Sequence, residues 1–351
     1  MKSFSRAGRT LGTLAAVSMA VTLAACGSSN NSSAGGSSSQ KSSSASSASS
    51  SGSSSGSSSA ASPSVPTGTG NATLPSGQPG KGKPAIVMGD KNFSEEYLLG
   101  ELYSQALRAR GYTVTLKGNI GSSTTINAAL QSGKIDMYPE YTGVVYTVLA
   151  GHPDNPTSAT ETLKGATAYE NKHGYVVLNP TPFQDADGLA TTKAFAQKNS
   201  LKAIGDLKNV SSFTYAGPPE NATRYQGVVG LHKAYGLTNF KFKPVPIGSQ
   251  YQALDQGKVD TIAIFTTDGQ LASGKYAVLT DDKGIFGFQQ VVPVVKKSVL
   301  SKEGPEFEQT LNAVSKLLTT DAVVAMNKAV QIDQQDPGEV AKKFLQANNL
   351  L

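Results

Sequence analysis

Tryptophan is absent from this 351-residue chain, cysteine occurs once and histidine three times. The single thiol, Cys26, excludes an intramolecular disulfide and any cysteine-based metal cluster. His152, His173 and His232 stand far apart, none with a second His or Cys at ligand spacing. They read as surface or packing residues, and neither a metal nor a cofactor is expected. The chain has no Gly-x-Ser-x-Gly elbow, Walker loop, His-Glu-x-x-His or Asp-x-Asp-x-Asp-Gly loop. Nothing supplies a nucleophile with a neighbouring base, so a binding protein is expected and an enzyme is not. Acidic residues are missing from residues 1–83, where Lys2, Arg6, Arg9, Lys41, Lys81 and Lys83 account for the whole net charge of +6. The other 268 residues carry 25 basic and 25 acidic side chains. A neutral body without a Lys/Arg cluster offers nucleic acid no electrostatic footprint.

The first 25 residues read as a signal peptide. Lys2, Arg6 and Arg9 form a basic start, followed by an apolar stretch from about Leu11 to Leu23 that is short for a membrane span. Leu23-Ala24-Ala25-Cys26-Gly27 has the form of a bacterial lipobox, with cleavage before Cys26 and lipidation of its thiol. Residues 26–83 are Ser, Gly, Ala, Asn and Pro with almost no large apolar side chains. Such a segment buries too little to offset its ordering entropy and reads as a disordered tether, with a root-mean-square reach of roughly 40 Å. The expected place is the extracytoplasmic face of the cell membrane, held by lipid.

The body from Pro84 onward alternates strand and helix patterns, the signature of α/β layering around a mainly parallel sheet. Ala85–Gly89 reads as a buried strand and Asp90–Phe93 as a loop. Ser94 reads as the N-cap of a helix with Glu95 and Glu96 in its first turn and Gly111 past its end. A helix is predicted from about Ala222 to Tyr235, and three helices close the chain. Two lobes are expected, residues 84–187 plus 291–351 and residues 188–290, with crossings at Gly188–Thr191 and Val291–Val295.

One pattern occurs twice. Ala129-Leu130-Gln131-Ser132-Gly133-Lys134-Ile135-Asp136 returns as Ala253-Leu254-Asp255-Gln256-Gly257-Lys258-Val259-Asp260, led in by Ile120-Gly121-Ser122 and Ile247-Gly248-Ser249. Thr142-Gly143 closes the first unit and Thr267-Asp268-Gly269 the second. Two similar lobes presenting these loops to a shared cleft would follow. Ser122 and Ser123, like Ser249, stand at helix starts, where free N–H groups and hydroxyls suit a polar acceptor; ordinary capping is the competing reading. Tyr138, Tyr141, Tyr225 and Tyr251 are candidates for aromatic faces around a methylated cation, with half-buried packing as the alternative for each.

Lys91-Asn92-Phe93-Ser94-Glu95-Glu96, Gly133–Gly143 with its Tyr138-Pro139-Glu140-Tyr141-Thr142-Gly143 run, and Phe265-Thr266-Thr267-Asp268-Gly269-Gln270 resemble the substrate-binding proteins of osmoprotectant ABC importers, the glycine betaine/choline-binding family. The resemblance covers essentially all of 84–351. It implies a type II periplasmic-binding-protein fold, two α/β lobes joined by two hinge crossings, closing on a small ligand without catalysis. It also implies an ABC permease with its ATPase as partner, a membrane reached through the lipid anchor, and a monomer. Matching positions assign Lys91 to the ligand's carboxylate and Tyr141 and Tyr251 to cage walls. The chain departs from the family pattern at Val144 and at Asp187, where a cage tyrosine is common. It departs again over Pro218–Ala222, leaving Tyr225 as the available substitute wall. Asp185 and Asp187 would face a cationic nitrogen, and Arg224 or Lys91 an acidic end. Asn92, Phe93, Thr142, Glu220, Asn221 and Thr267 complete the expected site. The ligand class is a cationic or zwitterionic osmoprotectant such as glycine betaine, choline or carnitine. Alternatives keep the fold and bind an amino acid or an ergothioneine-like betaine, or make the body a tethered sensor.

Overall fold

The computed structural model describes residues 72–153 and 155–351. The predicted signal peptide, the Cys26 lipidation site and residues 27–71 of the tether lie outside the described residues. The end of the expected tether, residues 72–83, is instead part of the body: Ala72 and Leu74 pack on an apolar cluster, and the Gly80 N–H donates to Arg110 O at 2.9 Å. Two five-stranded sheets organise the body. The first contains β1 (Ile86–Gly89), β2 (Val114–Lys117), β3 (Met137–Tyr141) and β4 (Tyr175–Val177). The second contains β5 (Asp187–Thr192), β6 (Phe213–Gly217), β7 (Phe240–Pro244), β8 (Thr261–Phe265) and β9 (Tyr276–Leu279). The chain then returns as β10 (Val291–Lys296), which inserts between β3 and β4, giving the orders β2-β1-β3-β10-β4 and β7-β6-β8-β5-β9.

The sheets are mixed, not mainly parallel. In each, the crossing strand runs against its neighbours: β10 is antiparallel to β3 and β4, and β5 to β8 and β9. A strand that enters a lobe from the far side of the hinge arrives from the opposite direction, which the alternation of helices and strands does not reveal. Both crossing strands are buried on two faces. Along β10, Val291 and Val295 join one apolar cluster and Val292 and Val294 another. Along β5, Leu189 joins one cluster and Ala190 another, and in the neighbouring β8 Ala263 faces the first while Ile262 and Ile264 face the second. Period-two alternation between two apolar layers is what a central strand requires, each large side chain contributing about 1.5–3 kcal/mol on burial.

The repeated motif folds twice in the same way. Its helices are Ser123–Gln131 and Gln250–Asp255, its strands β3 and β8. Gly133 and Gly257 adopt φ of +77° and +65°, left-handed turns that an L side chain rarely takes. The motif's aspartates clasp the neighbouring parallel strand. Asp136 Oδ2 accepts from the Val87 N–H at 2.9 Å while its own N–H donates to Val87 O at 2.7 Å. Asp260 does the same to Thr214, at 2.8 and 3.1 Å.

Local expectations differ in three places. Phe93, not Ser94, is the N-cap of the Ser94–Ala109 helix, and the Ser94 hydroxyl accepts instead from Gln331 Nε2 at 2.9 Å. A short Lys297–Glu303 helix precedes the three closing helices Pro305–Leu317, Thr320–Gln331 and Pro337–Ala347. The helix predicted from Ala222 to Tyr235 is broken into a 3₁₀ turn at Pro219–Ala222, a wide π-type turn at Tyr225–Val229 and one α-turn at Gly230–Lys233. Gly227 sits at φ −140°, ψ −133°, and a Cβ there would meet Asn221 O at 2.2 Å. The backbone folds back on itself at that point, so no continuous helix fits.

Candidate functional site

The ends of β3 and β8 face each other across the cleft between the sheets. Registering the repeat on Asp136 and Asp260 makes Tyr141 and Phe265 equivalent, each the last residue of its strand. It also makes Thr142 equivalent to Thr266, not to Thr267. The Thr142 N–H donates to Gln290 O at 2.9 Å and its hydroxyl to Phe288 O at 3.4 Å. The Thr266 N–H donates to Ala186 O at 2.9 Å and its hydroxyl to Gln184 O at 3.4 Å. Each threonine therefore ties a strand end to one hinge crossing, by the same two bonds. Thr142 is buried in that role and does not line the cleft.

Between the lobes lies a cavity of about 540 Å³, counting its open mouth. Its aromatic wall comes from both lobes. Phe93 stacks against Tyr141 with ring centroids 6.1 Å apart and against Phe265 at 5.5 Å. Val144, Pro218 and Ile247 add apolar surface, and Gln289 adds an amide whose Oε1 accepts from the Val144 N–H at 3.1 Å. At the floor Lys91, only 2% exposed, pairs with Glu140, lies 3.5 Å from Glu96 Oε1 and 3.5 Å from Ser123 Oγ. Its ammonium stands 4.2 Å from the Tyr141 ring centroid. Burial pushes the Glu96 carboxyl up to about 8, with Lys91 opposing the shift.

Of the residues expected at the site, the structure gathers Lys91, Asn92, Phe93, Ser122, Ser123, Tyr141, Asp185, Asp187, Glu220, Asn221 and Arg224 around this cavity. Asp185 is buried and its Oδ1 accepts from the Thr267 N–H at 3.2 Å. Asp187 opens β5, its carboxyl raised to about 6 by burial while Arg224 pulls it down. Asn221 Nδ2 donates to the Tyr215 hydroxyl at 3.2 Å, which fixes the turn carrying Glu220. Ser122 caps the Ser123–Gln131 helix without a side-chain cap bond, its hydroxyl lying 3.0 and 3.3 Å from those of Thr124 and Thr125.

Three further expected residues lie elsewhere. Tyr251 is 4% exposed, donates its hydroxyl to Asp268 Oδ2 at 2.7 Å and packs on Tyr276. It belongs to the apolar layer behind β8 and does not reach the cavity. Tyr225 lines an outer groove with His152 and Lys233, because the broken helix turns it away from the cleft. Thr267 lines an adjoining compartment, where its hydroxyl donates to Glu95 Oε2 at 2.5 Å. Sequence reasoning missed Phe265, Gln289, Pro218 and Ile247 as lining residues, and noted Val144 only as a departure. For Phe265 the signal was present: five residues after Asp260, it matches Tyr141 five residues after Asp136.

The lobes also meet at the opposite rim. Gln226 Nε2 donates to Thr147 Oγ1 at 2.7 Å and Asn155 Oδ1 at 3.2 Å, and Asn155 Nδ2 donates to Gly284 O at 3.1 Å and Ile285 O at 2.6 Å. Among the described residues no group of three His, Cys, Asp or Glu side chains is arranged to hold a metal.

Known proteins match the chain along most of its body. Residues 84–347 match the family described as the substrate binding domain of ABC-type glycine betaine transport system. A glycine-betaine-binding protein of Pseudomonas aeruginosa is 33% identical over 281 residues, covering 76% of this chain and 88% of that protein. An ergothioneine transport permease/ergothioneine binding protein of Helicobacter pylori is 28% identical over 263 residues, 74% of this chain and 47% of the relative. Among solved structures, a glycine betaine/carnitine/choline ABC transporter superposes with a TM-score of 0.63 at 24% identity, covering 76% of this chain and 99% of that one. That likeness establishes the two-lobed type II periplasmic-binding-protein fold. With the family match spanning three quarters of the chain, the protein belongs to the substrate-binding components of ABC-type glycine betaine transport systems.

Proposed function

We propose that the cleft captures a small quaternary-amine zwitterion of the glycine betaine or carnitine class and delivers it to an ABC permease with its ATPase. The observation that carries this reading is the stack of Tyr141, Phe93 and Phe265, contributed by both lobes and flanked by Asp185 and Asp187. A fully methylated nitrogen has no hydrogen to donate, so aromatic faces and nearby carboxylates supply its attraction, each face contributing about 0.5–2 kcal/mol. Lys91 is committed to Glu140 and Glu96, which leaves Arg224 to meet the ligand's carboxylate. Phe265 thus takes the wall first assigned to Tyr251. The body works outside the cytoplasm, tethered through a lipid on Cys26 and a segment long enough for it to reach its permease.

Calorimetric titration with glycine betaine, carnitine, choline and ergothioneine tests the reading. Glycine betaine and carnitine are expected to bind well below millimolar. Arg224→Gln should weaken both by about 1.5–3 kcal/mol, the worth of a charged hydrogen bond, and change choline little. If none of the four binds more tightly than millimolar, the amine assignment fails; tight ergothioneine binding alone would move the ligand to a thiol-bearing betaine. For the anchor, radiolabelled palmitate should enter the wild type and not Cys26→Ala.

A further inference from the structure

Where the two lobes meet behind the aromatic wall, the fold buries two acids outside the ligand cavity, Glu95 and Asp268, and joins them to Asp185, which also lines it. Glu95, 2% exposed, sits in the first turn of the Ser94–Ala109 helix. Its Oε1 accepts from the Tyr141 hydroxyl at 2.8 Å, and its Oε2 from Thr267 Oγ1 at 2.5 Å and Asn327 Nδ2 at 2.7 Å. These donors come from the end of β3, from the loop after β8 in the other lobe, and from the Thr320–Gln331 helix. Asp185, 4% exposed, accepts from the Thr267 N–H, so Thr267 links the two acids with one donor each. Asp268 adjoins them, held by the Tyr251 hydroxyl, the Phe265 N–H and Gln331 Nε2.

Other titratable groups face this cluster from several elements: Tyr97 shares a compartment with Glu95, and Asp187, Glu220 and Arg224 line the ligand cavity with Asp185. On Glu95's own helix, Glu96 turns toward Lys91. Lys91, from the preceding loop, is the cation acting on Glu95, and its ammonium is held by Glu140. Tyr141 and Tyr251 donate to the cluster. The Thr320–Gln331 helix contributes the amides Asn327 and Gln331, while its Lys328 pairs with Asp333.

We propose that Glu95 is a positioning residue that couples the aromatic wall to lobe closure, and that closure loads a proton onto the Glu95–Asp185 pair. The proposal rests on the reading of the cleft as the ligand site. Glu95 holds Tyr141 and Thr267 together only while the lobes touch, so parting them breaks the bond to Thr267 and admits water. Two neighbouring carboxylates out of water resist ionising together. Burial pushes both carboxyls above the ordinary range; the Glu95 charge raises Asp185 further, while the three donors to Glu95 and the Lys91 charge partly offset its own rise. The proton comes from solvent, forms one O–H bond on the pair and returns to solvent on opening. The sign follows. Below the ordinary carboxylate range open and closed forms are both protonated, and closure carries no penalty. Between that range and the raised range of the closed pair, closure draws a proton from solvent and ligand affinity falls as pH rises; above it the closed pair is ionised too and the fall ends.

Two measurements on the full chain test this. Glycine betaine titrated at one neutral pH in phosphate and in Tris reports proton uptake through the buffers' different ionisation heats. Uptake of a proton is expected, with affinity falling by up to about tenfold per pH unit. Glu95→Gln, which keeps an acceptor for Tyr141, should bind without uptake and with a flat pH profile; Asp185→Asn, which also takes a carboxylate from the ligand cavity, should bind more weakly and likewise without uptake. Equal heats in the two buffers, or uptake retained in both variants, overturns the proposal. Small-angle scattering of the ligand-free protein gives a readout independent of the ligand: because closure takes up the proton, lowering the pH is expected to compact the wild type and not Glu95→Gln, and a wild type whose size does not respond to pH overturns the proposal. Compaction on acidification with no heat from glycine betaine would support the junction and sink the ligand reading instead.

Discussion

Lys91 places its ammonium 4.2 Å from the Tyr141 ring centroid, the kind of contact a ligand cation would make. The family pattern assigned it to the ligand's carboxylate, but the buried Glu96 and Glu140 beside it change its task. Without Lys91 these two acids would face each other out of water. Removing one partner of a buried ion pair costs about 3–5 kcal/mol, most of it the stranded charge. Lys91→Met should therefore lower unfolding free energy by about 3 kcal/mol in a urea titration, and adding Glu140→Gln should restore a large part of that loss. If Lys91→Met unfolds like wild type and only loses ligand, the lysine serves the ligand and the ion-pair account is wrong. Asp187 shows what a residue can and cannot reveal alone. Its departure from the expected tyrosine was readable in the chain, and so was its charge. That Arg224 would lie close enough to oppose the effect of its burial was not readable, because the two are separated by a lobe's width of sequence.

At the level of elements, the twice-written motif was legible because its glycines and aspartates perform backbone tasks that do not depend on the rest of the fold. Gly133 and Gly257 make left-handed turns, and Asp136 and Asp260 grip a neighbouring strand. The loop after each strand was misaligned by one residue, because Thr-x-Gly resemblance was followed in place of the count from the aspartate. That slip hid Phe265 behind Thr267. Tyr251 failed for another reason. In a helix of six residues, which side faces the cleft is set by how the helix docks, and here its tyrosine docks on Tyr276 and Asp268. The broken Pro219–Lys233 segment was likewise hidden, since helix-forming residues surround a Gly227 whose backbone must leave the helical region. The aspartate grip gives a test confined to one element. Asp260→Ala removes the acceptor for the Thr214 N–H and should cost about 1.5–3 kcal/mol, as for hydrogen bonds to charged groups. Hydrogen exchange should speed up in β6 and β8 and stay unchanged in β1 and β3; equal loosening of both sheets would mean the clasp is not local.

For the molecule as a whole, the two rims of the cleft differ in kind. The hinge rim is covalent, with β5 and β10 crossing and Thr142 and Thr266 pinned to them. The opposite rim is held by neutral side-chain bonds, chiefly Asn155 to the carbonyls of Gly284 and Ile285 and Gln226 to Thr147. Water satisfies those same groups when the lobes part, so the bonds favour closure without adding to the stability of either lobe. Each neutral bond nets about 0.5–1.5 kcal/mol, so Asn155→Ala, which removes two bonds to carbonyls and one from Gln226, should weaken closure by about 1.5–4.5 kcal/mol. The loss belongs in the escape rate, because a ligand enters an open cleft and leaves only when the rim releases. Stopped-flow measurement with glycine betaine should show dissociation about 10- to 2,000-fold faster with association nearly unchanged, while the melting temperature of the ligand-free protein stays close to wild type. A variant that melts early but releases ligand at the wild-type rate would show that Asn155 braces its own loop and that the rim is not what retains the ligand.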